Sequence, residues 1–258
     1  MVGRVQRCRT RRFGVALEEN VISIVVFGRR GVSVEETVES ALAQTDVEVD
    51  VVVVAEDDGA ADAGSVEVGV RRVVATEPGD LSAINAGFAA ASGDVVIFAD
   101  AGDQLSVDVG SRAAGMFSAE PSVAQVSWAT GPSRPAEGDL RDVVLRDGVN
   151  FRGRAWSIGC AFRRSVLERL MPLPAERADL GARGSAVNFV LATLVPLFGR
   201  TVALELPAGS GAVGPQPEIG QLAERFDLAR RLLAEHAAQI GASVDPAAWR
   251  DPPPVSQR

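Results

Sequence analysis

Hydrophobic positions follow two alternating patterns in the first half of the chain, between residues 21 and 120. Continuous runs of β-branched and other apolar residues, such as VISIVVF at 21–27, are typical of strands covered on both faces of a sheet. They predict strands at 21–27, 49–55, 70–75 and 94–100. Apolar residues spaced three and four apart predict helices at 33–45 and 81–92. This order predicts an α/β fold with a doubly wound, mostly parallel central sheet flanked by helices.

The second half of the chain is less regular. A strand is predicted through Val126 and Trp128, and residues 131–155 are predicted to form a long loop over a site. The remaining predicted elements are a strand from 156, helices at 163–170, 185–198 and 218–240, a strand at 201–206, and a tail at 246–258. The chain therefore divides into a basic extension (1–20), an α/β domain (21–206, with halves 21–120 and 121–206), and a linker, helix and Pro-rich tail (207–258).

Two helices carry more specific predictions. Ser33, with Glu36 three residues later, predicts a capping box at the start of the first helix. The terminal helix has one apolar stripe, which consists of Ile219, Leu222, Phe226, Ala229, Leu233 and Ala237. This stripe is expected to pack against the domain or against a second subunit in a homo-oligomer. The charged residues predicted to face outward are Glu224, Arg225, Arg231 and Glu235.

Composition and charge exclude several classes of function. A formal net charge of −8 argues against nucleic acid as the main partner. Two cysteines and one histidine are too few for a disulfide framework or a zinc site. The chain contains arginine but no lysine, which excludes a lysine nucleophile. The longest apolar stretch is about half of the ~20 residues that span a bilayer, and no signal-peptide core is present, so the cytoplasm is the expected compartment.

Acidic residues follow two of the predicted strands. Glu56, Asp57 and Asp58 follow the second strand, whereas Asp100 and Asp103 follow the fourth. Ligands of doubly wound sheets bind at the carboxyl ends of the strands. Carboxylates there can accept hydrogen bonds from a nucleotide or bind a hard divalent cation. Asp and Gly also favour turns for purely structural reasons, so either turn alone leaves both interpretations open.

Together these segments resemble a known family. The succession of VISIVVF, VDVVVVAEDDG and AINAGFAAASGDVVIFADAGD resembles the inverting family 2 glycosyltransferases, which have the nucleotide-sugar-binding GT-A fold. The resemblance is close over 21–120 and looser to about 206, through GCAFRRSVLERL. It implies an enzyme that transfers a glycosyl group, such as a hexosyl group, from a nucleotide diphosphate sugar to a saccharide or small-molecule acceptor.

The resemblance also implies roles for individual residues. The nucleotide site would be formed by Phe27, Asp57, Asp58, Asn85 and Asp100, with Val26 and Gly28 as further walls. Asp57 or Asp58 would hold the uracil or thymine ring. Asp100 would contact the ribose or a metal ion in the family's Asp-x-Asp motif.

The chain departs from the family at the metal motif. Gly102 stands at the third position of the Asp-x-Asp motif, so Asp103 beside it is the remaining candidate metal ligand together with Asp100. Mg²⁺ or Mn²⁺ is therefore expected to bind weakly and only with the nucleotide diphosphate. Fixed positive charge from Arg29, Arg30 or Arg183 is an alternative way to stabilise a leaving diphosphate.

A second departure concerns the catalytic base. The family has an acidic pair where this chain has Gly184, Ser185 and Ala186, none of which can take a proton from an acceptor hydroxyl. Asp179 or Glu176, a few residues upstream, would have to serve as the base. An active glycosyltransferase and a catalytically degenerate binding or partner module therefore both remain open. A nucleotidyltransferase-like enzyme is disfavoured because a lysine-bearing phosphate loop is absent from the sequence.

Overall fold

The computed structural model describes residues 21–28, 31–55, 69–75, 79–129, 135–149, 158–174, 180–206 and 218–249. The strands are β1 (Val21–Phe27), β2 (Glu48–Ala55), β3 (Val70–Val74), β4 (Val95–Asp100), β5 (Val123–Ala129), β6 (Ile158–Arg163) and β7 (Arg200–Leu204). The helices are α1 (Glu35–Leu42), α2 (Asp80–Ala90), α3 (Val109–Ala119), α4 (Arg141–Asp147), α5 (Arg164–Leu167), α6 (Arg183–Leu194) and α7 (Ile219–Gln239).

These strands form one twisted sheet in the order β3-β2-β1-β4-β6-β5-β7. The pairs β1–β2, β1–β4, β2–β3 and β5–β7 are parallel, whereas β6 runs antiparallel to both of its neighbours. The chain leaves β1 toward β2 on one side and later enters β4 on the other side. The predicted α/β fold with a mostly parallel sheet is confirmed, and the boundary between β1 and β4 is its topological switch point.

The sheet is covered on both faces, as the continuous apolar runs predict. One buried cluster joins the face with Val25, Phe98 and Phe162 to helices α2, α6 and α7. The second cluster joins the opposite face, with Ile24 and Ile97, to α1 and α3.

Helix α7 packs through its apolar stripe against this domain, which is one of the two predicted outcomes. Leu222, Phe226, Ala229 and Leu233 belong to the same buried cluster as α6. The rings of Phe226 and Phe189 lie 5.1 Å apart, with an angle of 66° between them. Among the described residues, no helix is both long enough and apolar enough to cross a membrane.

Two predictions about helices are wrong. Helix α1 begins at Glu35 without a side-chain cap, because the Ser33 hydroxyl accepts a hydrogen bond from the nearby Glu35 N–H instead. The segment 131–155 is not wholly a loop, since α4 buries Val143 and Val144 within it. This short helix was missed because its surroundings are rich in Gly, Pro and Asp.

The predicted tail at 246–258 contains a residue that packs against α4. Trp249 is 9 % exposed, and its indole N–H donates to the Leu145 carbonyl over 3.1 Å. A Cβ on Gly148, at the end of α4, would lie 2.6 Å from the Trp249 ring. The chain after α7 therefore packs against part of the segment that was predicted to be a long loop.

Candidate active site

The carboxyl ends of β1 and β4 meet at the switch point of the sheet. Phe27 is the register partner of Asp100, and the Ala101 N–H donates to the Phe27 carbonyl over 2.9 Å. On the other side, the Gly28 N–H donates to the Val54 carbonyl of β2 over 2.9 Å. Gly28 and Asp100 thus lie side by side where ligands bind in open α/β sheets.

Asp100 uses its carboxylate to hold the first turn of α6. The backbone N–H groups of Gly184 and Ser185 donate to its Oδ1 and Oδ2 over 2.8 and 2.9 Å. Asp100 is 6 % exposed, and its negative charge lies at the positive end of the α6 dipole. Since an ionised carboxylate has about four acceptor positions, these two bonds do not by themselves exclude a ribose hydroxyl.

The turn after β4 is fixed from two directions. The Asp100 N–H donates to Asp103 Oδ2 over 2.8 Å. Thr37, fully buried in α1, accepts from the Gly102 N–H over 2.9 Å and donates to the Asp100 carbonyl. Burial, together with the nearby Asp100 charge, raises the pKa of the Asp103 carboxyl to about 7, although the bond from the Asp100 N–H acts to lower it.

Gly102 has a φ of +93°, which L side chains rarely adopt. An aspartate introduced there would be strained, so the third carboxylate of the Asp-x-Asp motif cannot simply be restored. No group of three potential metal-ligating side chains is present within the described part of the chain. Both candidate metal ligands already have partners at this turn, since Asp100 is bonded to the α6 N-terminus and Asp103 to the Asp100 N–H. The expectation of weak, nucleotide-dependent Mg²⁺ or Mn²⁺ binding stays a prediction.

An ion pair closes the other side of this edge. Arg183, the first residue of α6, donates from Nε to Asp80 Oδ1 over 2.8 Å and from Nη1 to the Gly28 carbonyl over 3.3 Å. The Leu180 N–H donates to Asp80 Oδ2 over 2.9 Å. Of the three predicted arginines, Arg183 therefore lies at the edge next to Gly28, whereas residues 29 and 30 lie outside the described part.

Two of the residues predicted to bind the nucleotide have partners within the protein. The Phe27 ring is 1 % exposed and stacks on Phe98 inside the core, with ring centroids 6.2 Å apart. The Asn85 amide donates to the Leu173 carbonyl and accepts from the Leu173 N–H, both over 2.8 Å. The assignment of Phe27 and Asn85 to the nucleotide site stays a prediction.

The remaining predicted site residues lie outside the part of the chain that the structure describes. They are the base-binding candidates Asp57 and Asp58 and the catalytic-base candidates Glu176 and Asp179. Ala55 ends β2 at the same edge as Gly28, and Leu180 begins the next described segment close to Asp80. The roles assigned to these four candidates, in binding the nucleotide base and as the catalytic base, stay predictions.

Sequence reasoning missed Thr37 and predicted the wrong orientation for Arg225. Thr37 stands three residues after Val34 and four before Ala41, a spacing that places it on the buried face of α1. Arg225 was predicted to face outward, but it is 2 % exposed. Arg225 stands three residues after Leu222 and four before Ala229, a spacing that indicates the buried face of α7. The prediction placed it outward because its side chain is charged.

Comparison with known proteins confirms the resemblance. Residues 22–146 match the family model described as glycosyl transferase family 2. An uncharacterized glycosyltransferase of Nostoc sp. (strain PCC 7120) is 27 % identical over 176 residues, which cover 58 % of this chain and 52 % of that protein. The chain thus spans about half the length of this curated relative.

Solved structures show the same fold at low sequence identity. A crystal structure of Staphylococcus aureus TarS (residues 1–349) in complex with UDP-GlcNAc has a TM-score of 0.58 and 16 % identity, covering 88 % of this chain and 68 % of that one. Glucosyl-3-phosphoglycerate synthase from Mycobacterium tuberculosis, in complex with Mn²⁺, UDP and glucosyl-3-phosphoglycerate, has a TM-score of 0.54 and 20 % identity. In that comparison 91 % of this chain and 88 % of the other are covered. The fold is therefore that of the GT-A glycosyltransferases.

Proposed function

We propose that this chain binds a nucleotide diphosphate sugar at the carboxyl edge of the sheet and transfers the sugar to a saccharide or small-molecule acceptor, since residues 22–146 match glycosyl transferase family 2 and the chain has the GT-A fold. The observation that carries this proposal is the meeting of Gly28, Asp100 and the first turn of α6 at the switch point between β1 and β4. The two solved relatives hold UDP-GlcNAc, or UDP with Mn²⁺, which supports a nucleotide diphosphate as the ligand class.

In the proposed reaction, the acceptor hydroxyl oxygen attacks the anomeric carbon of the donor sugar. The bond between that carbon and the diphosphate oxygen breaks, and the nucleotide diphosphate leaves with the electron pair. The hydroxyl proton passes to a carboxylate, for which Asp179 and Glu176 are the candidates. Arg183, beside Gly28, offers fixed positive charge near the developing diphosphate.

A non-catalytic nucleotide-binding or partner module is the second candidate, and one observation favours it. A Cβ on Gly184 would lie 2.7 Å from the Ala99 carbonyl carbon and 2.9 Å from the Asp100 nitrogen. An acidic side chain at this position would force α6 away from β4. The first turn of α6, Arg183 to Ala186, accordingly contains no carboxylate.

Release of nucleotide from a panel of UDP-, dTDP- and GDP-sugars distinguishes the two candidates. We expect the wild-type protein to release a nucleotide diphosphate from at least one donor faster than the spontaneous rate. Asp179→Asn or Glu176→Gln should reduce this rate by about 100-fold or more, since a general base contributes roughly 10²–10⁴-fold. Glu224→Gln, at an exposed position of α7, is the matched control and should leave the rate unchanged.

Binding of a nucleotide without release from any donor would support the non-catalytic module. The absence of both binding and release would overturn the proposal as a whole.

A further inference from the structure

A buried arginine of α7 binds the segment that leads into α6. Arg225 Nε donates to the Leu180 carbonyl over 2.7 Å, Nη2 to the Ala182 carbonyl over 3.2 Å, and Nη1 to the Ser185 hydroxyl over 3.1 Å. One side chain thus contacts three points of residues 180–185, which we call the 180–185 junction.

The opposite side of the 180–185 junction is held by the two acids of the site edge. Asp80 accepts from the Leu180 N–H, and Asp100 accepts from the N–H groups of Gly184 and Ser185. Ser185 therefore connects Arg225 with Asp100, because its hydroxyl accepts from one and its backbone donates to the other.

The first turn of α7 fits closely against the same segment. Gly181 has a φ of +73°, and a Cβ there would lie 2.5 Å from Gln221 Oε1. Gln221 in turn takes part in the capping box that begins α7 at Glu218. The start of α7 and the 180–185 junction are thus matched in shape as well as in hydrogen bonding.

Burying a guanidinium is costly unless its donors find good acceptors. An apolar residue would fill the same space on the α7 stripe without that cost. The planar, forked donor group of arginine, however, can bind several backbone carbonyls at once in a fixed geometry. The geometry therefore indicates a residue that orders a segment, beyond filling the interface.

We propose that Arg225 is a positioning residue of the transferase site. By fixing the 180–185 junction, it keeps the α6 N-terminus on Asp100. This inference rests on the proposed transferase function, and it gives Arg225 a role at the site in addition to the packing of α7.

Amide hydrogen exchange tests the positioning without any ligand. In Arg225→Met, which retains an unbranched apolar side chain, the exchange of peptides covering 180–185 should accelerate at least tenfold, whereas peptides of β1 and β4 stay protected. Arg225→Lys should restore part of the protection, because an ammonium group can still bind one or two of the three acceptors.

Two controls separate positioning from general loss of stability. Phe226→Leu weakens the packing of α7 with Arg225 intact, so its exchange should not rise selectively at 180–185. Arg231→Met removes an exposed arginine of the same helix and should change neither region. Unchanged exchange at 180–185 in Arg225→Met would overturn the positioning role whether or not the protein binds a nucleotide.

The catalytic part is tested by nucleotide release in the same variants. Arg225→Met should lower the turnover of bound donor at least tenfold and change UDP affinity less than threefold, while Phe226→Leu lowers the unfolding midpoint and leaves both values unchanged. An Arg225→Met variant with faster exchange but wild-type turnover would contradict the link to the reaction. Failure of the wild-type protein to bind UDP, dTDP or GDP would instead overturn the proposed function and this link with it, whereas the exchange data would still decide the positioning.

Discussion

Asp100 is a strand-end carboxylate that binds the first turn of a helix. Its two oxygens accept from Gly184 and Ser185, and its own N–H donates to Asp103. The sequence pattern placed Asp100 correctly at the end of a buried strand. It could not reveal the helix bonds, because Gly184 follows 84 residues later and nothing in its local pattern indicates contact with β4.

Asp100→Ala should lower the stability by about 2 kcal/mol, because it removes two charge-assisted bonds at a helix N-terminus. For a domain of this size, that corresponds to roughly 4–8 °C in the unfolding midpoint. Thermal unfolding measures it, and a midpoint unchanged within about 1 °C would show that these bonds contribute little.

Asp103 should make the protein less stable as the pH rises. Its pKa is about 7 in the folded protein, above the ordinary value of 3.8, so between these values the folded state keeps a proton that the unfolded chain has lost. Asp103→Asn should therefore be neutral near pH 4 and stabilising above pH 7, by about 1–2 kcal/mol after allowance for partial exposure. Urea unfolding at several pH values measures this difference.

Asp50 is a control, because its contribution to stability changes with pH in the direction opposite to that of Asp103. Burial tends to raise its pKa, but hydrogen bonds from Arg71, Ser23 and Ser92 outweigh this effect and lower the pKa to about 2. Its contribution to stability is present above pH 3.8 and is lost as the pH falls toward 2, so Asp50→Asn should destabilise at neutral pH. If Asp103→Asn gave the same stability change at pH 4 and pH 8, the raised pKa would be contradicted.

At the scale of elements, the paired strands and helices were largely predictable and the junctions were not. Strands such as β1 and β4 are continuous apolar runs that only a doubly covered sheet can bury, so their pattern determines them. The start of α6 depends instead on a close approach between two distant elements. Gly184 permits that approach, since a Cβ would meet the backbone of Ala99 and Asp100.

Gly184→Ala should destabilise the protein by about 1–3 kcal/mol, as expected when a methyl group is forced into a filled space. Gly115→Ala is the matched control, because Gly115 is exposed in α3 and a Cβ there has no neighbour within 4 Å. It should stabilise by about 0.5–1 kcal/mol through helix propensity. Chemical unfolding of both variants gives the comparison, and equal effects would argue against a tight α6–β4 contact.

At the scale of the whole molecule, α7 completes the core and reaches the site edge. The sequence predicted its apolar stripe and left open whether a domain or a second subunit covers it. The structure places the stripe on α6, and Arg225 on the 180–185 junction. The sequence pattern of α7 does not distinguish packing on its own domain from packing on a second subunit, since either would bury the same side chains.

Phe226→Ala should therefore destabilise the whole domain, by about 3–5 kcal/mol, because the Phe226 ring is 2 % exposed against Phe189. Arg231→Ala, on the exposed side of α7, should stay within about 0.5 kcal/mol of the wild type. Equilibrium unfolding in urea measures both variants. A loss below about 1 kcal/mol for Phe226→Ala would mean that α7 is not an integral part of the core.

Binding of a nucleotide diphosphate at the edge formed by Gly28, Asp100 and α6 is the central claim. Calorimetric titration of the wild-type protein and of Asp100→Asn with UDP, dTDP and GDP, with and without Mn²⁺, tests it most directly. We expect one nucleotide to bind per wild-type chain, and we expect Asp100→Asn to bind it at least tenfold more weakly while remaining folded. The absence of binding heat for every nucleotide under both conditions, or equal affinities for the two proteins, would contradict this account.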